Sequence, residues 1–457
     1  MNIDSYSSFF FVGIAGTGMS AIAQYLHGIG KKVSGSDRMF GQMAKQEIQE
    51  QFEHLGITCF EQNASGITAD TDVVIISTAI EESNIEYQKA LSLSIPIVKR
   101  SEILAAISNN TKSIAIGGTS GKSTTTAMVF HILEHCGTAP SLITGAGLAS
   151  LQKHNIPGNA WVGTGEWLVI EADESDGSIV SYQPEIGVVL NIDRDHKEFS
   201  ELEELFVTFK SHTKTHFIVN QNCTRAAHLS ANRENDFGTD THCGIRGTGF
   251  SQTGFSISFT VNDIPCTIPV IGKHNMENAL AALAIAVKTD IPLEKAVEAL
   301  QTFEGIYRRA QLIGKTQNNI YVIDDFAHNP AEVSAIIQAC QSIGKRVIAW
   351  FQPHGFGPLK FMHEELAEKV AHTLRTQDVF YISSVYYAGG TVAKDIHPTV
   401  VSDAISQQNK QAHWVESKED FRALLDSLVQ HDDVILIMGA RDPELQSFAQ
   451  QIFKTIS

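Results

Sequence analysis

The sequence predicts an α/β protein of three doubly wound domains in a row, and three observations predict it. Short β-branched runs alternate with Ala-rich helical stretches through most of the 457 residues, the pattern of parallel sheets with crossover helices. Those runs end repeatedly in glycine and polar residues, the edge where open α/β sheets bind ligands. Two polar stretches without an apolar period, Ser108-Asn109-Asn110-Thr111-Lys112 and Lys315-Thr316-Gln317-Asn318-Asn319, read as joints and divide the chain into 1–108, 109–314 and 315–457.

The length suits three domains of about 150 residues each. A net charge of −17 with no long Lys/Arg run argues against a nucleic-acid partner, so any phosphate must be bound locally by glycine loops, point cations and metals. Six cysteines without a C-x-x-C pair fit a reducing compartment. Met1-Asn2-Ile3-Asp4-Ser5 has no basic leader and no apolar run approaches the ~18 residues of a membrane span, so the protein is expected in the cytoplasm.

In the first domain, Ser8-Phe9-Phe10-Phe11-Val12 is a buried-strand signal. It runs into Gly13-Ile14-Ala15-Gly16-Thr17-Gly18-Met19 and an Ala-rich helix, a Rossmann-like opening whose backbone N–H groups suit a diphosphate. A second strand, Lys32-Val33-Ser34-Gly35-Ser36-Asp37, ends in an acidic residue about 20 positions on, where a ribose hydroxyl is read. Taken alone this points to NAD, but the glycine order is G-x-x-G-x-G, and the ligand stays open. Further strands are expected at Asp72–Ser77 and Ile95–Lys99.

The second domain opens with the strand Ser113–Ile116 and the turn Gly117-Gly118-Thr119-Ser120-Gly121-Lys122-Ser123-Thr124, which leads into a helix. Strand, tight loop and helix make a phosphate cradle. The glycines let the backbone approach a polyphosphate, Lys122 reaches an outer phosphate and the Ser123 hydroxyl suits Mg²⁺. A chance Gly-Lys-Ser in a surface loop would lack the flanking strand and helix, so this is read as an ATP or GTP site. Trp167–Glu171 is a buried strand running into Ala172-Asp173-Glu174-Ser175-Asp176, hard oxygen ligands beside the cradle strand. The strand Ile186–Ile192 ends in Asp193-Arg194-Asp195-His196, where His196 is a candidate metal ligand or carboxylate partner. His131-Ile132-Leu133-Glu134-His135 matches a zinc-protease spacing, but it lies late in the cradle helix and is expected to be two surface histidines without zinc. Phe255, Ile257, Phe259 and Val261 alternate as a half-buried strand, with Thr267–Ile271 as its neighbour. Gly272-Lys273-His274-Asn275-Met276-Glu277-Asn278 opens a helix whose first turns present His274, Asn275 and Asn278 to a nucleotide, capping by Asn275 being the competing account. Arg308 and Arg309 follow Gly305 and suit a polyphosphate.

In the third domain, Ile320–Ile323 ends in Asp324-Asp325-Phe326-Ala327-His328-Asn329-Pro330, with a helix from Ala331. Arg346–Phe351 runs into Gln352-Pro353-His354-Gly355-Phe356-Gly357-Pro358, and Val379–Ile382 and Val434–Met438 end in Ser383-Ser384 and Gly439-Ala440-Arg441-Asp442.

The cradle Gly118–Ser123, Glu171–Asp176, Asn191–His196, Gly272–Asn275 and Asp324–His328 together resemble, in this order and over essentially the whole chain, the Mur ligase family. The resemblance implies a Rossmann-like first domain that binds a UDP-sugar rather than NAD, a central P-loop ATPase domain and a Rossmann-like third domain. It implies ATP and Mg²⁺ as cofactors, with UDP-N-acetylmuramate and an amino acid or peptide as partners, in a monomer or dimer. Catalytic roles then fall to Lys122, Glu171, His196, His328 and His354, and Mg²⁺ to Ser123, Glu171 and His196. ATP contacts fall to Gly118, Thr119, Ser120, Gly121, Lys122, Ser123, Thr124, His274, Asn275, Asn278, Arg309 and Asp325. The UDP-sugar falls to Gly13, Ala15, Gly16, Thr17, Gly18, Met19, Ser36, Asp37 and Ser77.

The implied reaction is amide formation in peptidoglycan synthesis. ATP phosphorylates the sugar-linked carboxylate, and an amine attacks the acyl phosphate, releasing phosphate and ADP. L-Alanine is the favoured amine, attachment of a recycled tripeptide is the second reading, and a non-catalytic UDP-sugar-binding protein is the third. Two departures stand out. Phe209 falls near the carbamylated lysine of several members, with Lys210 adjacent. Gly355 and Pro358 stand where alanine-adding members carry arginine after the histidine, and neither forks onto a carboxylate as arginine does, which leaves the amine open.

Overall fold

A computed structural model describes residues 2–41, 47–193, 197–387 and 393–457. The chain forms two compact units. One contains 1–192, 197–247 and 277–306, and the other consists chiefly of 248–276 and 307–457.

The first unit holds two sheets, one all parallel and one parallel except for its edge strand. In the first, β1 (Ser8–Val12), β2 (Lys32–Asp37), β3 (Thr58–Glu61), β4 (Val73–Ile76) and β5 (Ile97–Lys99) take the order β3-β2-β1-β4-β5, all parallel. Central β1 is apolar on both faces because helices cover both. Phe9, Phe10 and Phe11 are all 0% exposed, each adding roughly 2 kcal/mol of burial. The second sheet contains β6 (Lys112–Gly117), β7 (Ser141–Ile143), β8 (Ala160–Trp161), β9 (Trp167–Glu171), β10 (Ile186–Val189) and β11 (His216–Val219) in the order β11-β10-β6-β9-β7-β8. After β6 the chain builds β7 and β9 on one side and β10 and β11 on the other, so the carboxyl end of β6 is the point where strand order reverses. The cradle therefore sits at a natural ligand crevice. Outside this sheet, β12 (Phe237–Gly238) runs parallel to the start of β13 (Ile245–Thr253).

In the second unit β14 (Ser256–Val261) and β15 (Ile264–Ile268) form an antiparallel hairpin. The expected partner at Thr267–Ile271 therefore begins three residues earlier, at Ile264. The reason is turn chemistry: Asn262 and Asp263 have φ of 44° and 69°, a two-residue turn of the kind that matches strand twist. The third sheet, β16 (Gln311–Lys315), β17 (Tyr321–Asp325), β18 (Arg346–Phe351), β19 (Val379–Ser383), β20 (Gln411–Val415) and β21 (Asp433–Met438), has the order β16-β17-β21-β18-β19-β20. Strand β16 pairs antiparallel with β17, so the polar run after Lys315 is a hairpin loop inside this sheet. The other polar run is shorter than its composition suggests: a helix continues to Asn109 and β6 begins at Lys112.

Of the two histidines expected at the surface, His135 is exposed but His131 is half-buried. Its Nε2 lies 2.9 Å from the Ala299 carbonyl and 3.1 Å from Thr302 Oγ1, and its ring stands edge-on to Phe303. Helical spacing placed it on a face that the Leu293–Leu300 helix covers.

Candidate active site

The cradle is shaped by glycine and pinned by Asn191. Gly118 (φ 135°) and Gly121 (φ 84°) take conformations closed to most residues. A Cβ on Gly121 would lie 2.4 Å from Asn278 Oδ1. Asn191, just beyond β10, accepts from Thr119 Oγ1 (2.9 Å) and Ser120 N (2.8 Å), and donates to the Ser120 carbonyl (3.0 Å). Thr125 Oγ1 donates to Asn278 Oδ1 at 3.3 Å, so Asn278 packs on the cradle itself. Ser123 and Thr124 open the Lys122–His135 helix, Ser123 buried at 6% exposure.

Lys122 lies under the loop, donating to the Gly118 carbonyl (2.7 Å) and Glu174 (2.9 Å). Burial works against its ammonium, but Glu174, Asp173 and Glu171 together outweigh that and hold its pKa above the ordinary lysine value. Burial raises Glu174 despite the pull of Lys122, whereas Lys122, two hydrogen bonds with Ser175 and Arg100 hold Asp173 low against its own burial. Glu171 ends β9 in register with Ile116 of β6, which puts it at the cradle edge. Its Oε1 accepts from the Thr144 hydroxyl and from Gly145 N (2.6 Å). Asp176 instead pairs with Arg100 at 3.2 Å.

At the first glycine turn, most backbone donors are already committed. Gly13 N and Ile14 N donate to the Ser36 carbonyl at 2.8 and 2.9 Å, Ala15 N to Asp37 Oδ2 at 3.1 Å, and Gly16 N to the Gly13 carbonyl at 3.2 Å. Asp37 also accepts from Met39 N. Ser36 is fully buried with its hydroxyl on Glu86. Thr17, Gly18 and Met19 form the first turn of the Thr17–Gly28 helix, with Gly18 under the Arg100 side chain. Ser77 follows β4 at the same sheet edge.

The second unit gathers the other predicted residues. The two arginines divide: Arg308 forks onto buried Asp324 (2.9 and 3.2 Å) and is only 8% exposed at its side chain, while Arg309 is 25% exposed, over the Phe326 ring and 3.9 Å from Glu332. Asp325 accepts from Ala310 N (2.6 Å) and Ala327 N (2.7 Å); burial outweighs these bonds and lifts its pKa to about 6. His328 Nδ1 lies 3.0 Å from Glu332, and its ring is 5.1 Å from that of His354. Burial alone would raise Glu332, but His328 and Arg309 bring it to about 2. Asn275 donates to the Ile271 carbonyl at 2.7 Å. His274 feels both Glu332 and Arg309, and burial takes its pKa down to about 4.

That histidine gives a pH prediction with a definite sign. As pH falls from about 6.5 towards 4, the unfolded chain binds a proton at His274 that the folded chain refuses, and stability is lost. Asp325 works in the opposite sense between 3.8 and about 6, where the folded chain binds its proton first. His274→Gln is therefore expected to gain roughly 1–2 kcal/mol over the parent between pH 7 and 4.5, read as the difference in urea midpoints. An unchanged difference across that range would contradict the assignment.

His196 lies outside the described residues. Among the described residues no group of three or more His, Cys, Asp or Glu side chains is placed to hold a metal. Mg²⁺ does not need one, since it takes one or two protein oxygens and keeps water and phosphate ligands. The buried Ser123 hydroxyl and the Glu171 carboxylate at one sheet edge fit that demand. Sequence reading missed Thr144, which touches Glu171 and stands in no recognisable pattern, and it named Asn191 as the start of a motif without its contacts to the cradle. It also missed a cleft of about 420 Å³ at the strand ends of the third sheet, where Lys418 meets Asp442 at 2.9 Å beside Gln352, Ser384 and Tyr387. The strand ends themselves were the available signal.

Three family models match the chain: "Mur ligase family, catalytic domain" over 8–112, "Mur ligase middle domain" over 116–286 and "Mur ligase, glutamate ligase domain" over 308–441. UDP-N-acetylmuramate–L-alanine ligases of Geobacter sp. (strain M21) and Geotalea uraniireducens (strain Rf4) are each 34% identical, over 94% of both chains. The solved UDP-N-acetylmuramate-alanine ligase of Thermotoga maritima superposes with a TM-score of 0.80 at 26% identity, covering 98% of this chain and 99% of that one. A murein peptide ligase from Psychrobacter arcticus shares the fold, with a TM-score of 0.68 at 20% identity and 98% coverage of each.

Proposed function

The chain belongs to the Mur ligase family, and from that premise we propose that this ATP-dependent, amide-forming ligase joins L-alanine to the carboxylate of UDP-N-acetylmuramate. The observation that carries the reading is the cradle: a buried lysine under a glycine turn, flanked by carboxylates, at the point where strand order reverses.

In this reading Lys122 exchanges its hold on Glu174 for the outer phosphates of ATP. Preformed charge of this kind stabilises phosphoryl transfer without reorganisation. Ser123 and Glu171 would hold Mg²⁺, which when bound neutralises phosphate charge; His196 is assigned there by the family resemblance alone. Arg309, the open member of its pair, suits phosphate, and Asp325 a ribose hydroxyl. Since Gly13, Ile14, Ala15 and Gly16 spend their N–H groups internally, the sugar diphosphate falls to the turn Thr17–Met19, where the helix dipole favours an anion. Dependence on ATP and a UDP-sugar suits a cytoplasmic enzyme. No described helix is long and apolar enough to cross a membrane.

One observation favours a second amine. The Phe356–Thr373 helix begins at Gly355-Phe356-Gly357-Pro358, with no guanidinium to fork onto a single amino acid's carboxylate. A tripeptide carries its carboxylates further from the reacting amine and does not need that fork. The deciding measurement is phosphate release with ATP, Mg²⁺ and UDP-N-acetylmuramate, comparing single amino acids with L-Ala-γ-D-Glu-diaminopimelate. Stimulation by L-alanine is the expected result. Stimulation by the tripeptide alone would replace biosynthesis with recycling, and none by either would remove the proposed substrates.

A further inference from the structure

A hydrogen-bonded path leaves the sugar-side turn and ends on Glu171. Asn159 Nδ2 donates to the Thr17 carbonyl (2.9 Å) and to Ser20 Oγ (2.8 Å), and its Oδ1 accepts from Gln24 Nε2 (2.7 Å). Its own carbonyl accepts from Thr144 N at 3.0 Å, and the Thr144 hydroxyl donates to Glu171. Ser20, Thr144 and Asn159 are 2%, 3% and 4% exposed. Water therefore cannot readily replace these bonds, and a buried network of this kind fixes geometry because an unpaired member is costly.

We propose that Asn159 is a positioning residue that couples the two substrate sites. It locks the first turn of the Thr17–Gly28 helix to the backbone of Thr144, and Thr144 orients the carboxylate beside the cradle. Ordering the turn with a sugar diphosphate thus orders Glu171 for Mg²⁺·ATP, and the reverse must hold by the same factor. The inference rests on the substrate reading above.

Calorimetry on the full chain tests it. The Mg²⁺ complex of a β,γ-imido ATP analogue is titrated with and without saturating UDP-N-acetylmuramate, and the titration is then reversed. The parent is expected to bind each ligand about tenfold tighter when the other is present, and Asn159→Ala to lower that ratio below about threefold. Thr144→Val leaves the contacts of Asn159 with the helix in place and should lower the ratio equally, while Thr144→Ser, which keeps the hydroxyl, should preserve it. A residue that served stability alone would lower the melting temperature without changing the ratio. An unchanged ratio in Asn159→Ala and Thr144→Val, or a ratio of one in the parent, overturns the coupling. No binding of UDP-N-acetylmuramate by the parent overturns the substrate reading instead, and the coupling with it.

Discussion

Lys122→Ala is expected to lower ATP turnover by on the order of 10³-fold while UDP-N-acetylmuramate binding stays within a few fold. The ammonium sits inside the loop on the Gly118 carbonyl, and a methyl group offers no charge to an outer phosphate. The Thr17–Met19 turn proposed for the sugar follows β1, in the other sheet. The substitution also leaves Glu174, 3% exposed at its side chain, without its cation, which costs about 3 kcal/mol. Activity and stability can be separated: adding Glu174→Gln removes the stranded carboxylate and should restore most of the melting temperature without restoring turnover. Turnover retained in Lys122→Ala would sink the phosphate site, and recovery of turnover in the double variant would make Lys122 structural.

The second large effect is expected at Glu171. Glu171→Gln keeps the shape of the side chain, and its amide oxygen can still accept from Thr144 and Gly145 N as the carboxylate does. What it loses is the negative charge at the cradle edge. Turnover should fall by about 10²-fold and need a higher Mg²⁺ concentration for half-maximal rate, with the melting temperature nearly unchanged. An unaltered Mg²⁺ dependence would remove Glu171 from the metal site and leave it as an anchor for the Thr144–Gly145 turn.

Much of this architecture was legible in the residues. Ser8–Val12, Lys32–Asp37 and Arg346–Phe351 are strands with the bounds read from the sequence. Gly118 and Gly121 stand where the loop turns through positive φ. Boundaries failed where local chemistry was misread: the Asn262-Asp263 turn moved β15, and the polar run after Lys315 is a hairpin loop rather than a joint.

Sequence by itself determined the family, the three runs of alternating strand and helix, the cradle and its lysine. These depend on backbone preference and on hydrophobic period, which act between residues a few positions apart. Tertiary structure alone decided which polar group meets which. It gave Asn191 to the cradle across 71 positions and Asn159 to the first turn across 142. It also buried Arg308 on Asp324 and left Arg309 open, although the two are adjacent in the chain. A side chain's partner is chosen by non-local packing and by the cost of leaving a buried polar group unpaired, and neither is written in the spacing of nearby residues.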